Sequence, residues 1–450
     1  MPGFQIFLRE LCVLCASAVK TFLRIIRMID IGKLYCSGES TGDSLRYGTA
    51  GVKDSHGNKP HKRVVLASER RPIVVWSTTR TCNLRCVHCY TDSENQSYSG
   101  ELTTDEGLQL VDDLAAFGVP SLLFSGGEPL MRKDLYTLIE RASGKEMRPV
   151  ISTNGTLIDR DAARSIKDSG VVYVGISLDG MEDVNDQFRG VKGAFTRAMK
   201  GFENCLAIGQ RVGLRLTLTR RNYQDLHRIF DFIESEGISR ACFYHLVYSG
   251  RGGNMFKDDL THRESRDAMD IIMQRTRDYF DRGLDINILT VDNHADGVYI
   301  YRRLLEENPA RAEEVAELLS WNGGGAHSTG VGIGNIDFFG NVHPDQFWQD
   351  YTFGNVRERN FGDIWMDESD PLMKGLKHKA EHIKGRCRVC KYTHMCTGAM
   401  RVRAYRTYND AWAPDPQCFL TDEEIGIDEK MRMQLKEGGE YYPMPRELEG

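Results

Sequence analysis

The sequence predicts an α/β fold in which a barrel-like sheet is followed by a smaller C-terminal domain. From residue 72 onward, six short β-rich runs alternate with amphipathic helical patterns. Such alternation is typical of parallel strands joined by right-handed helical crossovers. Six units of this kind form either a partial (β/α)6 barrel or a doubly wound sheet. After Gly323-Gly324-Gly325 the pattern shifts to short strands and a second cysteine group, which predicts the C-terminal domain.

The composition is that of an ordinary globular protein without an electrostatic sign of nucleic acid binding. The 450 residues include 58 Lys and Arg against 64 Asp and Glu, and 41% are hydrophobic. This length suggests two or three domains and leaves ample chain for a large apolar core. Because phosphate binding normally requires a basic surface, the net charge of −6 predicts no nucleic acid partner.

Residues 1–71 are predicted to form an N-terminal extension that leads into the core domain. The apolar stretch 4–29 contains too many charges to span a bilayer, and it fits a secretory signal poorly. It is consistent with an amphipathic helix that docks on the core or on a membrane surface, or with a natural start at Met28. We therefore expect a cytoplasmic protein with no transmembrane span.

The ordered elements follow in sequence. The helical pattern at 103–117 is the clearest, because Thr103 and Glu106 form a capping box and Leu110, Leu114 and Phe117 mark one face. Gly340-Asn341 predicts a hairpin turn between strands at 332–338 and 341–347. The predicted core strands are 73–77, 121–125, 149–153, 171–178, 212–219 and 241–247, and the other helices are 133–145, 160–168, 194–208, 223–236, 258–282 and 309–319. The predicted domain limits are 72–300 for the core, 301–319 for a helical connection and 320–450 for the C-terminal domain.

The chemically distinctive residues come at the ends of the first four predicted strands. A cysteine group follows the first strand, Gly126-Gly127-Glu128-Pro129 the second, Asn154 the third, and Ser177 with Asp179 the fourth. Ligands of such sheets bind where the carboxyl ends of the strands meet. We therefore expect one rim to collect all four segments.

Two groups of cysteines have metal-binding spacing. Disulfides are rare in cytosolic proteins, so the twelve cysteines are examined for metal sites. The first group has three cysteines, Cys82, Cys86 and Cys89. A tetrahedral metal ion or a cubane cluster has four positions for ligands, so three cysteines leave one position open, and substrate can bind there. Zinc with His88 as fourth ligand is the strained alternative. The second group has four candidates, which are Cys387, Cys390, Cys396 and Cys418.

The C-x3-C-x2-C spacing, together with Gly-Gly-Glu-Pro after the second strand, resembles the radical S-adenosylmethionine (radical SAM) superfamily. The resemblance implies a partial (β/α)6 barrel in which Cys82, Cys86 and Cys89 hold a 4Fe-4S cluster that binds S-adenosylmethionine. Its reductive cleavage would give a 5'-deoxyadenosyl radical, with reduced ferredoxin or a flavodoxin-type protein as electron donor. The implied contacts to S-adenosylmethionine are Gly126, Gly127, Glu128, Asn154, Ser177, Asp179 and Arg189.

The second cysteine group is similar to the SPASM extension, or to its shorter twitch form, which binds auxiliary iron-sulfur clusters. This chain has four candidate ligands and no cysteine in the hairpin near 334–345, so the resemblance implies one auxiliary 4Fe-4S cluster. Zinc on the same four cysteines is the alternative. A cluster in which every iron has a cysteine ligand has no open position, which favours a role in electron transfer or structure over substrate binding.

Several further segments resemble the radical enzymes that process sirohaem. These segments are Tyr35-Cys36, Leu45-Arg46-Tyr47-Gly48, Val75-Trp76-Ser77, Phe188-Arg189-Gly190-Val191, 242–252, 292–297 and 345–348. The resemblance implies a tetrapyrrole substrate and the removal of two acetate side chains from 12,18-didecarboxysirohaem. Alternatives are a haem d1 step on propionate side chains, a peptide-modifying enzyme, and a non-catalytic iron-sulfur or zinc scaffold.

Substrate contacts are expected from cationic and titratable side chains. Arg215, Arg251, Arg401 and Arg403 are candidates for bidentate contacts to tetrapyrrole carboxylates. His245, Tyr248 and His294 are the catalytic candidates, because each lies in a family-like segment and could approach the substrate iron or deliver a proton. A hydrogen-bonded structural role is the competing interpretation for each.

Overall fold

An eleven-stranded sheet organises the described part of the chain, residues 28–38 and 71–449 of this computed structural model. The strand order is β1-β8-β7-β6-β5-β4-β3-β2-β9-β10-β11, and β2 to β8 pair in parallel with their neighbours. The strands are β1 Met28–Asp30, β2 Ile73–Ser77, β3 Ser121–Ser125, β4 Arg148–Thr153, β5 Tyr173–Ser177, β6 Val212–Leu218, β7 Arg240–His245, β8 Asn287–Val291, β9 Ile333–Ile336, β10 Asn341–His343 and β11 Gly354–Asn355.

The six predicted core strands correspond to β2 to β7, with ends that differ by no more than two residues. The strand β8, Asn287–Val291, was not predicted. It pairs in parallel with β7, and β1 adds to its other edge in antiparallel orientation. The predicted α/β barrel is thus confirmed, with one more parallel strand than the sequence indicated.

Helices connect the barrel strands and make up much of the C-terminal region. They are α1 Ile31–Cys36, α2 Thr104–Phe117, α3 Leu135–Gly144, α4 Arg160–Asp168, α5 Glu182–Arg189, α6 Ala194–Ala207, α7 Leu226–Ser235, α8 His262–Asp281, α9 Ala295–Glu307, α10 Pro309–Asn322, α11 Phe361–Met366, α12 Pro371–Lys377, α13 Lys379–His382, α14 Gly385–Val389, α15 Thr393–Cys396, α16 Arg401–Tyr408, α17 Asp422–Ile425 and α18 Glu429–Glu437. Short 3-10 helices occupy Pro129–Met131, Tyr223–Asp225, Gly250–Asn254, Phe256–Asp258, Gly324–His327 and Arg446–Leu448.

Capping side chains set where the helices begin. The predicted capping box at α2 is present, since Thr103 accepts from the Glu106 amide and Glu106 accepts from the Thr103 amide. The helix predicted at 258–282 begins later, at His262, because Thr261 and Glu264 form a second capping box there. The helix α5 was not predicted, and α9 overlaps the predicted helical connection at 301–319 only in its second half.

Alternation along the strands separates the helix-facing core from the barrel interior. In β6, Leu214, Leu216 and Leu218 are buried in the main apolar core. Arg215 and Thr217 point the other way and line an interior cleft. This period of two is the expected geometry of a strand with two different faces.

The C-terminal residues extend the barrel sheet rather than forming a separate one. The strand β9 pairs in parallel with β2, and β10 pairs antiparallel with β9. Gly340 has a φ of 87° at the turn of this hairpin, a conformation that favours glycine. The predicted hairpin is therefore present with shorter strands, while α9 runs across the predicted domain limit at residue 300.

Two groups of predictions fall outside the described residues. They concern most of the N-terminal extension, including Cys12 and Cys15, and the segment Leu45-Arg46-Tyr47-Gly48. Within residues 28–38 and 71–449, no helix is both long and apolar enough to cross a membrane.

Candidate active site at the carboxyl ends of the strands

A cleft opens where the parallel strands end, inside the barrel. It encloses about 1110 Å³ of empty space, part of it open to solvent. Its walls include residues that follow or end six of the strands, and those used below are Cys82, Cys86, Cys89, Ser125, Gly126, Gly127, Ser152, Asn154, Ser177, Asp179, Arg189, Arg215, Tyr244, His245 and Asp292. The four segments that the sequence predicted on one rim therefore meet here.

The first cysteine group forms a loop after β2 that is fixed by backbone hydrogen bonds. The Cys82 amide donates to the Glu94 carbonyl at 3.0 Å, and the Arg85 amide donates to the Arg189 carbonyl at 3.1 Å. The Ser93 amide donates to Cys89 Sγ at 3.4 Å. Burial raises the pKa of the Cys82 thiol to about 12, with a further contribution from Glu128. The loop thus holds three thiols at the cleft wall before any ligand binds.

This arrangement fits a multi-iron cluster. Among residues 28–38 and 71–449, no three His, Cys, Asp or Glu side chains converge as ligands of a single metal ion would. In a cubane each thiolate binds a different iron, so the sulfurs can stand further apart. All three thiols nevertheless face one cleft, and backbone amides that donate to sulfur favour the thiolate form.

Gly126 and Gly127 lie against the cysteine loop. The Gly127 amide donates to the Thr79 carbonyl at 2.7 Å. A Cβ atom on Gly127 would stand 2.3 Å from the Thr81 carbonyl oxygen, and one on Gly126 would stand 2.5 Å from the Thr79 oxygen. Both glycines are therefore required for the close approach of these two backbones, and both line the cleft.

Glu128 points away from the cleft and organises the next strand end. Its carboxylate accepts from Thr153 Oγ1 at 2.6 Å and from the Asn154 amide at 2.8 Å. Burial raises its pKa from 4.5 to about 7, although these hydrogen bonds act in the opposite direction. The structure gives Glu128 a positioning contact with the turn that carries Asn154.

Asn154 and Ser177 stand on the cleft wall. Asn154 Nδ2 lies 2.9 Å from Asn83 Oδ1 and 4.0 Å from Cys82 Sγ, so its side chain joins the β4 turn to the cysteine loop. Ser177 ends β5 and faces the same space.

A buried charge network joins Asp179 to the cysteine loop. Arg189 forms an ion pair with Asp179 and places its other guanidinium nitrogen 3.5 Å from Cys86 Sγ. His88 Nε2 lies 3.3 Å from the same Asp179 carboxylate, and burial lowers the His88 pKa. The Thr217 amide donates to Asp179 Oδ1 at 2.7 Å. Asp179 thus ties β5, β6, α5 and the cysteine loop together.

The three catalytic candidates have different positions. His245 lines the cleft, with Nε2 at 3.0 Å from Asp296 Oδ2. Tyr248 and His294 are buried but do not line the cleft. The Tyr248 hydroxyl donates to Asp259 at 2.6 Å, and burial together with that carboxylate raises its pKa well above 10.

Three of the four candidate arginines are already occupied by the protein. Arg251 donates to the carbonyls of Cys86 and Ser93 and pairs with Asp92. Arg401 donates to the carbonyls of Ala411 and Ala413. Arg403 pairs with Asp415 at 2.8 Å and donates to the carbonyls of Leu246 and Asp292. Arg215 alone of the four lines the cleft without an ion-pair partner among the described residues.

Asp292, Tyr90 and Phe347 were missed by the sequence analysis as site residues. Asp292 follows β8 with a φ of 68°, an unusual conformation for a residue other than glycine, and it lines the cleft. Phe347 reaches the cleft from the C-terminal region and packs edge-on against Tyr90, with 5.3 Å between ring centroids. The available signal for Asp292 and Phe347 was that each lies in a segment resembling the sirohaem-processing enzymes, at 292–297 and 345–348.

The second cysteine group also comes together. Cys418 lies near enough to Cys387, Cys390 and Cys396 to contribute to raising the pKa of each, although burial is the larger cause. Arg386 is close to three of these thiols and donates to the Cys418 carbonyl at 3.1 Å. The four side chains therefore form one thiol cluster away from the barrel cleft, in which Cys387 is buried and the other three are partly buried.

Comparison with known proteins gives a consistent family. A sequence profile of the Radical SAM superfamily matches residues 76–233. Fe-coproporphyrin III synthase of Methanosarcina barkeri is 52% identical over 89% of this chain and 100% of that protein. Pre-heme d1 synthase of Dinoroseobacter shibae is 39% identical over 79% and 88%. AdoMet-dependent heme synthase of Oleidesulfovibrio alaskensis is 30% identical over 77% and 86%.

Solved structures share the fold at lower identity. Streptococcus suis SuiB bound to S-adenosylmethionine is 19% identical with a TM-score of 0.60, over 78% of both chains. The anSMEcpe structure with bound AdoMet is 17% identical with a TM-score of 0.61, over 82% of this chain and 100% of that one. These likenesses concern the fold alone.

Proposed function

The chain belongs to the radical SAM superfamily, and we propose that it removes two acetate side chains from 12,18-didecarboxysirohaem to give iron-coproporphyrin III. The superfamily works with a 4Fe-4S cluster and S-adenosylmethionine. The observation that carries the substrate assignment is the 52% identity to Fe-coproporphyrin III synthase over that protein's full length. The cleft supports it, because it combines the three-cysteine loop with Arg215, which forms no ion pair within residues 28–38 and 71–449.

In this proposal the cleft residues divide into cofactor and substrate contacts. Bound cluster and S-adenosylmethionine supply a radical that abstracts a hydrogen atom from the substrate. Cys82, Cys86 and Cys89 would hold the cluster. The glycine turn, Gly126 with Gly127, and the polar wall of Asn154, Ser177, Asp179 and Arg189 would orient S-adenosylmethionine.

His245 is the proton-handling candidate of this proposal. It lines the cleft, and the carboxylate of Asp296 fixes the orientation of its ring. We assign Tyr248 and His294 positioning roles, because both are buried outside the cleft wall.

We also propose one auxiliary 4Fe-4S cluster on Cys387, Cys390, Cys396 and Cys418. The proximity of these four thiols supports a cluster ligated by protein at every iron, which suits electron transfer or a structural role. Zinc is the alternative occupant. Iron analysis of wild type and C390A distinguishes them, since only a cluster would account for a loss of about four irons on substitution.

A reduced ferredoxin or flavodoxin-type protein is the proposed electron donor, and the cytoplasm is the proposed location. The donor follows from the need of the cluster for a strong reductant. The location follows from the need for reduced cysteines, and the ten cysteines of the described residues are free thiols.

The test is anaerobic incubation of reconstituted, reduced protein with S-adenosylmethionine and 12,18-didecarboxysirohaem, followed by mass analysis of the tetrapyrrole. We expect loss of two acetate units together with 5'-deoxyadenosine. No 5'-deoxyadenosine from fully loaded protein would favour the non-catalytic scaffold. Cleavage with an unchanged tetrapyrrole would overturn the deacetylase assignment.

The second candidate is a haem d1 step on propionate side chains, which the 39% identity to pre-heme d1 synthase favours. Mass analysis separates the two, because loss of propionate differs from loss of acetate by one methylene per side chain. A peptide substrate has weaker support, at 25% identity to a PqqA peptide cyclase.

A further inference from the structure

Arg215 is a cation in the barrel interior. It lies on the inward face of β6 and lines the cleft together with Ser152 on β4 and Tyr244 on β7. One guanidinium nitrogen donates to Ser152 Oγ, and Cζ lies 4.9 Å from the centroid of the Tyr244 ring. The side chain is thus held at a defined place between two interior walls.

The charge of Arg215 has no carboxylate partner in the described part of the chain. No Asp or Glu of residues 28–38 and 71–449 forms an ion pair with it. The groups around it include Tyr90, Tyr173 and Tyr244, and burial raises the pKa of each of these phenols, which keeps them neutral. Arg215 is partly exposed to the cleft, and a carboxylate bound there would gain an ion pair with it.

Gly175 makes this placement possible. A Cβ atom on Gly175 would stand 2.6 Å from Arg215 Cδ. The methylene groups of Arg215 therefore pass over β5 at the position of this glycine. The backbone of Gly175 is an ordinary strand conformation, since its φ is not positive. Gly175 is therefore needed because it leaves space for the Arg215 side chain, and not because the backbone needs a conformation that favours glycine.

We propose that Arg215 binds the carboxylate of the side chain that the tetrapyrrole inserts into the barrel, and that Gly175 and Ser152 position it. This inference rests on the proposed function. The guanidinium fork suits a carboxylate, and Arg215 is the predicted candidate that lines the cleft without an ion-pair partner among the described residues. The carboxylate could come from an acetate or a propionate side chain.

The experiment measures tetrapyrrole binding to the reconstituted protein by the shift of the Soret band. Arg215→Gln is expected to weaken binding of 12,18-didecarboxysirohaem by about 10- to 100-fold, the range for a lost hydrogen bond to a charged group. Arg215→Lys should recover part of this loss. S-adenosylmethionine binding is measured in parallel, because Arg215 lines the same cleft as the proposed contacts to that cofactor.

The matched control is Arg240→Gln. Arg240 begins β7 at the opposite end of the barrel, where it contacts Asn287 and the Tyr173 ring, and it does not line the cleft. The second variant is Gly175→Ala, which keeps the arginine but displaces it. It should reproduce the loss of binding, and it should add little when combined with Arg215→Gln.

Two ligands identify the carboxylate. If Arg215→Gln weakens binding of both 12,18-didecarboxysirohaem and iron-coproporphyrin III, the contact is to a propionate. If it weakens only the first, the contact is to an acetate. Either result supports the assignment.

The opposing outcomes are distinct. Conversion by the wild type with equal tetrapyrrole binding by Arg215→Gln would overturn the inference alone. Weaker S-adenosylmethionine binding with unchanged tetrapyrrole binding would assign Arg215 to the methionine carboxylate and overturn it as well. A wild type that neither binds nor converts tetrapyrrole would overturn the proposed function together with the inference.

Discussion

At the residue scale, Arg189 and Arg215 line the same cleft but differ in their ion-pair partners. Arg189 and Asp179 form an ion pair in which both side chains are at most 8% exposed. That pair also contacts His88 and Cys86, so it fixes the cysteine loop by electrostatics. Arg215 lacks such a partner among the described residues and therefore stands out as a ligand contact.

Cys86→Ala should abolish formation of 5'-deoxyadenosine and remove about four irons per chain, because a cubane cannot be held on two thiolates of this loop. Cys205→Ala is the matched control, since Cys205 is a fully buried thiol in α6, remote from both groups. Anaerobic cleavage assays and iron analysis measure both effects. Retained cleavage in Cys86→Ala would contradict the assignment of the loop.

Glu128 predicts a pH dependence of stability. Its pKa is raised to about 7 in the folded protein by burial, against 4.5 for the exposed group, so the folded state binds more protons between these values. The contribution of Glu128 to the free energy of unfolding is fully present below about pH 4.5 and is lost as the pH rises through 7. We expect the unfolding free energy of the apoprotein to fall by about 1 to 3 kcal/mol between pH 5 and 8 through this group.

Chemical denaturation of wild type and Glu128→Gln over this pH range tests the expectation. The variant should lose that part of the pH dependence. Glu140→Gln, an exposed change on α3, should follow the wild type. If the free energy of unfolding of Glu128→Gln runs parallel to that of the wild type from pH 5 to 8, Glu128 is ionised throughout this range.

At the scale of elements, the glycine turn after β3 and the cysteine loop after β2 form one unit. The backbone of Gly127 fits against the carbonyls of Arg80 and Thr81, which lead into Cys82. Ends of neighbouring parallel strands can approach this closely only where a side chain is absent. The position of the cysteine loop therefore depends on a glycine of another loop.

Gly127→Ala should move the cysteine loop, because its Cβ would stand 2.3 Å from a backbone oxygen. We expect poorer iron retention at the first site and cleavage slowed by about 100-fold, the effect of a misplacement near 1 Å. Gly144→Ala is the control, since a Cβ there meets nothing within 4 Å. Normal iron content and cleavage in Gly127→Ala would contradict this reading.

At the scale of the whole molecule, the C-terminal region completes the barrel. It adds β9 to the edge of β2, and it supplies Phe347 to the cleft. Arg403 on α16 donates to the carbonyls of Leu246 and Asp292 at the ends of two barrel strands. The thiol cluster and the barrel cleft are thus held in one continuous structure.

Arg403→Gln should destabilise the protein by about 3 to 5 kcal/mol, because it leaves Asp415 buried without its counter-ion. Arg406→Gln, on the same helix, removes a partly exposed pair with Asp350 and should cost no more than about 1 kcal/mol. Denaturation of the two apoproteins compares them directly. Equal losses would mean that the buried pair does not anchor the C-terminal region.

The sequence by itself determined the strand-helix alternation, the cap of α2 and the two cysteine groups, because these depend on residues close together in the chain. Tertiary structure alone decided that β9 joins β2, that Phe347 reaches Tyr90, and which of four arginines remains for a ligand. Arg215 meets Ser152 across 63 positions and Arg403 meets Asp292 across 111. Contacts at such separations exist only once the sheet brings the strands side by side, so no local pattern encodes them.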